Sequence, residues 1–357
     1  MTVAVRVVGA GVIGLSCAVR LAEAGLAVDV LARDLPLETT SAAAGALWLP
    51  VSTHPLDEVA RWARPSLLAF RSLATTEPPD GQTPDAPTPD GQATDGSRGD
   101  DRTGSDSRTD RRHRDPGVRL LPGLLRCSAP DRLPAWHASV ADLAPAEPVT
   151  DVAPGWPHAL ALTLPVIDMT AYLTFLQERL LSLGGTLTRL CLSALPETGI
   201  VVNCTGLAAH ALAQDPHVAP IRGQIVVVEN PGLTRWWYAG ADRDEGPTYL
   251  LPHRRRMVLG GTAVAGNWSL APDRAAAAAI RDRADQLEPG ITRSPVLGHR
   301  VGLRPVRSRV RLEVERVPSL RDPEHVVVHC YGHGGNGVTL SWGCADEVRD
   351  AVLALVS

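Results

Sequence analysis

Residues 3–34 place the strongest constraint on how this chain folds. Residues 3–8 form a short, β-branched apolar run that predicts a buried strand. Gly9-Ala10-Gly11-Val12-Ile13-Gly14 follows, and residues 15–24 read as a helix with Leu15, Ala18, Val19 and Ala22 on one face. Gly25 ends that helix, and residues 26–31 predict a second buried strand. A G-x-G-x-x-G pattern set between strand, helix and strand predicts a βαβ unit that holds a pyrophosphate. The first glycine serves the tight turn, the second lets backbone approach the phosphates, and the third lets helix and strand pack closely. The helix N-terminus then offers N–H donors and the positive end of a dipole.

At the end of the second strand stand Arg33 and Asp34. An acidic residue there takes ribose hydroxyls in dinucleotide folds. Arg33 suits a phosphate or an adenine face equally well, so the assignment between the two stays open. Downstream, Thr40, Ser41, Gly45, Ala46 and Leu47 lie in a run of small residues that lets backbone rest against a ligand. The competing reading is an Ala-rich helix start capped by Ser41.

A chain of 357 residues with a formal net charge of −4 has room for two domains or one large α/β unit. No basic field points to nucleic acid. All positive side chains apart from histidine are arginines; the absence of lysine excludes Schiff-base chemistry on the protein. Cys17, Cys127, Cys191, Cys204, Cys330 and Cys344 form no C-x-x-C and no zinc-ligand spacing, so no metal is expected. Scattered thiols point to a reducing, cytoplasmic setting. Met1 leads straight into the first strand, the last residues form no peroxisomal tripeptide, and no apolar run reaches membrane-spanning length.

Further along, residues 56–74 predict a helix interrupted at Pro65. Residues 77–116, rich in Pro, Asp, Gly, Thr, Ser and Arg, bury too little to offset ordering entropy and read as a disordered insertion. Residues 165–183 predict a helix with Leu173, Leu176, Leu180 and Leu183 on one face, and 186–192 a strand. A strand at 199–203 runs into Cys204-Thr205-Gly206. Paired strands flank Arg254-Arg255-Arg256, read as a solvated hairpin tip. A last strand runs into Tyr331-Gly332-His333-Gly334-Gly335-Asn336-Gly337, and Val338 and Thr339 open a closing helix. Two glycine turns far apart in sequence can hold one long cofactor, the first at the pyrophosphate and the second at a redox ring.

In these residues the chain resembles the D-amino-acid oxidase family, flavoproteins of the glutathione-reductase type. The matching stretches are residues 9–16, 32–36, 202–206, 222–224 and 302–307, and His329 through Gly337 into 341–345. The resemblance implies an α/β fold: a Rossmann-like FAD domain with an interleaved α+β substrate domain built on an antiparallel sheet. The FAD domain would comprise 1–50, 151–222 and 295–357, and the substrate domain 51–76, 117–150 and 223–294. It implies FAD contacts at Gly9, Ala10, Gly11, Val12, Ile13, Gly14, Arg33, Asp34, Thr40, Ser41, Gly45, Ala46 and Leu47. Thr205, Gly334, Gly335, Asn336, Gly337, Val338 and Thr339 complete them. Arg304 and Tyr249 match the family's carboxylate anchors, and the Gly335 carbonyl would accept from the substrate amine. No side chain need act as acid or base, and His333 is structural by this resemblance.

The implied reaction takes a hydride from Cα of a D-amino acid to flavin, releases a 2-oxo acid and ammonia, and returns the electrons to O2 as hydrogen peroxide. Glu245 stands where some members carry a lid tyrosine. Of the remaining tyrosines, Tyr172 reads as helix core, Tyr238 as a lid residue and Tyr331 as packing near the ring. D-aspartate oxidase, with Arg222, Arg235 or Arg254–Arg256 as a second cation, and glycine oxidase are alternatives. A nicotinamide-dependent dehydrogenase or a non-catalytic FAD binder would share only parts of the pattern. A homodimer is the expected assembly.

Overall fold

The computed structural model describes residues 4–50, 55–74, 115–127, 129, 133–153, 156–240 and 246–357. The proposed insertion, apart from Asp115 and Pro116, and Glu245 lie outside the described residues. In chain order the strands and α-helices are β1 (Ala4–Val8), α1 (Val12–Glu23), β2 (Ala27–Ala32), α2 (Leu56–Ala74), β3 (Val118–Arg126), β4 (Glu147–Ala153) and β5 (Trp156–Ile167). Then come α3 (Met169–Ser182), β6 (Thr186–Arg189), β7 (Ile200–Asn203), α4 (Ala209–Leu212), β8 (Ala219–Glu229), β9 (Trp236–Ala239) and β10 (Thr248–Pro252). The chain closes with β11 (Arg256–Gly260), β12 (Val264–Ala265), α5 (Arg274–Asp285), β13 (Val296–Arg316), β14 (Val326–His333) and α6 (Gly337–Val356).

One end of the sheet is parallel, in the order β6-β2-β1-β7-β14. α1, α3 and α6 pack together against it, with Leu15, Ala18 and Val19 at 0% exposure. The other end, β4-β5-β3-β9-β10-β11-β8, is antiparallel except where β3 meets β9. β13 joins the two ends. Its first half pairs with β8 and its second half with β14, and Val306 pairs with both Ala219 and His333. A residue just before that crossover therefore sits where the antiparallel face meets the final glycine turn.

The fold corrects four readings. Residues 165–167 belong to β5, and the helix begins only at Met169. The side chain of Asp168 caps it by accepting from Thr170 N at 3.0 Å. The apolar run suited either element, and the cap decides the boundary. The strand expected at 186–192 stops at Arg189. α2 runs through Pro65 without ending. Arg254 and Arg255 are exposed, but Arg256 turns back and pairs with Asp168, so the hairpin tip is only partly solvated.

His253 is buried beside that pair, and its pKa is pushed down to about 4, chiefly by burial and further by Arg256, Arg119 and Arg300, against the opposing pull of Asp168. The folded state thus resists a proton that the unfolded chain accepts near pH 6.5. Stability is complete above that value and declines as pH falls from about 6.5 towards 4. Thermal denaturation followed from pH 7 to 4.5 should show this decline, and His253→Gln should flatten it.

Candidate active site

The first glycine turn has the shape a pyrophosphate cradle requires. Gly9 adopts φ +112°, and a Cβ on it would run into the Cys204 carbonyl. A Cβ on Gly14 would run into the Gly9 carbonyl, which is the close helix–strand approach expected of the third glycine. No side chain of the Gly11 cap residue closes the α1 N-terminus, and no acidic residue stands in its first turn. Apart from Val12 N, the positive end of the helix is therefore available to an anion. Ser41 Oγ accepts from Val12 N at 3.0 Å, so the serine lies at the mouth of the cradle. Thr40 and Ser41 belong to a short 3-10 turn, Thr40–Ala43. Ser41 does not cap that turn; its hydroxyl goes to α1.

The second glycine turn lies against the first. A Cβ on Gly337 would sit 3.8 Å from Val12 and 3.9 Å from Ile13. Thus the N-termini of α1 and α6 meet, although their sequences are remote. Gly334 takes φ +57°, and Asn336 stands at the N-cap position of α6. Thr205 Oγ1 donates to Asn203 Oδ1 at 2.7 Å at the end of β7, next to the first turn. The Thr339 hydroxyl lies 3.4 Å from both the N and the O of Leu49 and so fastens α6 to the segment that follows Leu47. The open glycines and the two adjacent helix N-termini offer backbone donors and close approach of the kind a dinucleotide requires, so the residues present fit FAD.

Beyond the second turn lie the substrate candidates. Arg304 precedes the β13 crossover, and its guanidinium rests over Gly223, where a Cβ would occupy its place. One N–H donates to the Thr262 carbonyl at 3.0 Å. Among the described residues no carboxylate pairs with it. A Cβ on Gly335 would lie 3.6 Å from Arg304 Cδ, which places the turn and the cation side by side.

Tyr249 is buried on β10, with its ring packed over Gly260 and its hydroxyl 3.4 Å from the Cβ position of Gly45. Burial raises its pKa while nearby Arg304 opposes the rise, so the phenol keeps its proton and can donate. The 40–47 segment, Tyr249, Arg304 and Gly335 thereby converge from four separate parts of the chain. Ala46 at φ +57° turns this segment onto β5, where Leu47 bridges Val166.

Tyr238 was legible only as a lid candidate. Instead it is a strand residue on β9, paired opposite Tyr249 with rings 6.0 Å apart and 5° from parallel. Its pKa too is raised, chiefly by burial. The period-two pattern of Trp236 and Tyr238 sets both on one face of β9, but only the register of β9 against β10 places Tyr238 opposite Tyr249. Tyr331, expected to pack near the ring, packs with Ala209 and Val218. Its hydroxyl donates to Asp215 at 3.0 Å and accepts from Arg311 at 2.8 Å. Tyr172 is helix core, as expected.

Arg33 and Asp34 pair with each other at 2.6 Å on the surface at the end of β2. Both therefore remain candidates for the adenosine end. Of the five candidate second cations, Arg254 and Arg255 are exposed at the hairpin tip and the other three are engaged elsewhere. Arg222 donates to Gln224 Oε1 and to the carbonyls of Ser269 and Ala271. Arg235 lies over Trp237 and 3.6 Å from Glu288, and Arg256 is held by Asp168.

Comparison with known proteins accords with this geometry. The family model described as FAD dependent oxidoreductase (DAO) matches residues 4–351. The chain is 42% identical to a D-amino-acid oxidase of Rubrobacter xylanophilus over 98% of its length and 96% of the relative's. It is also 42% identical to a D-amino-acid oxidase of Streptomyces coelicolor, covering 96% of this chain and 94% of that one. In fold it is similar to glycine oxidase from Bacillus cereus, with a TM-score of 0.73 at 17% identity over 99% of this chain and 95% of that one. With its two glycine turns and their converging helices, the chain belongs to the DAO family of FAD-dependent oxidoreductases.

Proposed function

We propose that this protein is a D-amino-acid oxidase acting on neutral D-amino acids, with noncovalent FAD. The observation that carries the reading is the guanidinium of Arg304. It is half-buried, unpaired with any carboxylate among the described residues, and set beside Tyr249 and the Gly335 turn. Such a fork is the natural partner of an amino-acid carboxylate.

Arg304 and the Tyr249 hydroxyl hold the carboxylate, and the Gly335 carbonyl accepts from the amine. The substrate is thereby fixed with Cα towards the ring site. FAD held at the two glycine turns would supply the acceptor for the Cα hydride and the route by which the electron pair reaches O2 as hydrogen peroxide. The imino acid hydrolyses to a 2-oxo acid and ammonia. The uncharged amine is the form that releases hydride, and no protein base is assigned. The positive ends of α1 and α6 favour the phosphates and the negative charge of a reduced ring.

A neutral side chain is favoured because Arg222, Arg235 and Arg256 are already engaged. Arg254 and Arg255 sit at the β10–β11 tip, five and six residues beyond Tyr249 and past the end of β10 at Pro252, so more than roughly 10 Å along the strand. A cytoplasmic setting accords with six unpaired cysteines among the described residues. No helix among the described residues is long and apolar enough to cross a membrane.

Turnover of D-alanine, D-proline and D-aspartate, read as peroxide and 2-oxo acid, tests the proposal. Preference for the two neutral substrates supports it. Preference for D-aspartate would move the assignment to the acidic class, and no product from any D-amino acid would refute it. Tyr249→Phe removes one hydroxyl donor and leaves the ring, so kcat/KM should fall about tenfold, equivalent to about 1.4 kcal/mol, with flavin content unchanged.

A further inference from the structure

Behind the two glycine turns the fold gathers five soft donor side chains to which the reaction gives no task. Cys17 comes from α1, Cys204 from the end of β7, Cys330 and His333 from β14, and Cys344 from α6. The sulfurs of Cys17, Cys204 and Cys330 lie within 4.8 Å of one another. The same holds for the donor atoms of Cys330, His333 and Cys344, so Cys330 is common to both groups. All five residues are buried, at 0–7% exposure.

A buried cysteine alone behaves as a small apolar side chain and needs no partner. The imidazole is different. His333 is 3% exposed, and its buried Nε2 has no hydrogen-bond partner. Leaving such a group unsatisfied costs about 1–3 kcal/mol, and the nearest soft donors around it are thiols.

We propose that Cys330, His333 and Cys344 bind one divalent cation of the zinc class, tying the end of β14 to the second turn of α6. Cys17 and Cys204 lie near Cys330, outside that set of three donors. A zinc ion at about 2.3 Å from each sulfur sets neighbouring sulfurs about 3.8 Å apart. A cluster already inside 4.8 Å approaches that geometry with side-chain adjustments of about 1 Å. On binding, the thiols of Cys330 and Cys344 each lose a proton to solvent and each sulfur donates a pair to the metal. Two thiolates, one neutral imidazole and a dication sum to zero charge, so the site puts no net charge into the core. Linear spacing hides the site because its donors come from separate elements.

The tie would bracket the turn Gly334–Asn336 from both sides, since His333 precedes it and Cys344 lies in the helix that follows. Metal binding therefore stabilises the turn that meets the ring of the cofactor, without entering the reaction.

The test uses the full-length, flavin-loaded protein under reducing conditions. It is titrated with Zn2+ and, as a spectroscopic probe, with Cd2+. Native mass spectrometry counts ions, ultraviolet thiolate-to-cadmium absorption reports sulfur ligation, and a pH-stat counts released protons. The expected result is one ion per chain, about two protons released, and a raised Tm. Cys330→Ser and Cys344→Ser should each weaken binding at least about a hundredfold and abolish the rise in Tm. Cys127→Ser/Cys191→Ser, outside the cluster, should change neither. If the core variants do not fold, cadmium NMR of the wild-type protein decides, by a shift typical of mixed sulfur and nitrogen ligation. No stoichiometric binding, binding that survives loss of Cys330 and Cys344, or binding that depends on Cys127 and Cys191 would overturn the proposal. None of these readouts depends on oxidase activity.

Discussion

Replacing Arg304 by alanine is expected to lower kcat/KM for a neutral D-amino acid by about a hundredfold to a thousandfold, with most of the loss in KM. The guanidinium supplies two charge-assisted hydrogen bonds to the substrate carboxylate, together about 3–4 kcal/mol, and each 1.4 kcal/mol is a factor of ten. The variant should stay yellow. Arg304 is fastened to the rest of the protein by the Thr262 carbonyl, and neither glycine turn depends on its charge. Arg304→Lys keeps the positive charge but loses the fork, so it should recover only part of the loss. Steady-state kinetics with D-alanine, set beside the flavin absorbance of each variant, checks this. Wild-type kinetics in the alanine variant would remove Arg304 from the site.

Gly14→Val should remove the cofactor altogether. A Cβ on Gly14 meets the Gly9 carbonyl, which is backbone at the centre of the first turn and has nowhere to go. The turn must open, and α1 must move off β1. Overpacking of this kind costs about 1–3 kcal/mol in the fold itself. The geometry of the anion cradle is lost as well, so flavin affinity should fall more than about a hundredfold. The purified variant should be colourless, with a lowered Tm that added FAD does not restore. Gly298→Ala is the matched control, because a Cβ there meets nothing within 4 Å. It should retain flavin.

The parts of the site that could be read from the sequence are those set by neighbours along the chain. The first βαβ unit is one continuous local pattern, and its apolar face, glycines and strand lengths all agree. The second turn was legible for the same reason, from strand to glycine cluster to helix. The start of α3 was not, because residues 165–167 are apolar in a way that suits a buried strand and a helix alike. Asp168, whose side chain caps the helix, held the missing signal. Tyr238 escaped because its place opposite Tyr249 depends on the register of β9 against β10, which no single stretch encodes. Arg222 looked like an available cation until the fold brought Gln224, Ser269 and Ala271 around it. The same non-local packing assembles the sulfur cluster behind the turns.

The joint claim, that two distant glycine turns grip one flavin and that Arg304 presents a D-amino acid to it, is tested most directly by one absorption experiment. The purified protein is loaded with FAD, freed of excess flavin and oxygen, and mixed first with L-alanine and then with D-alanine. The account predicts an oxidised flavin spectrum that L-alanine leaves unchanged and D-alanine bleaches, with the colour returning when air is admitted. A protein that retains no flavin, or a yellow protein that D-alanine and D-proline both fail to bleach, would contradict it.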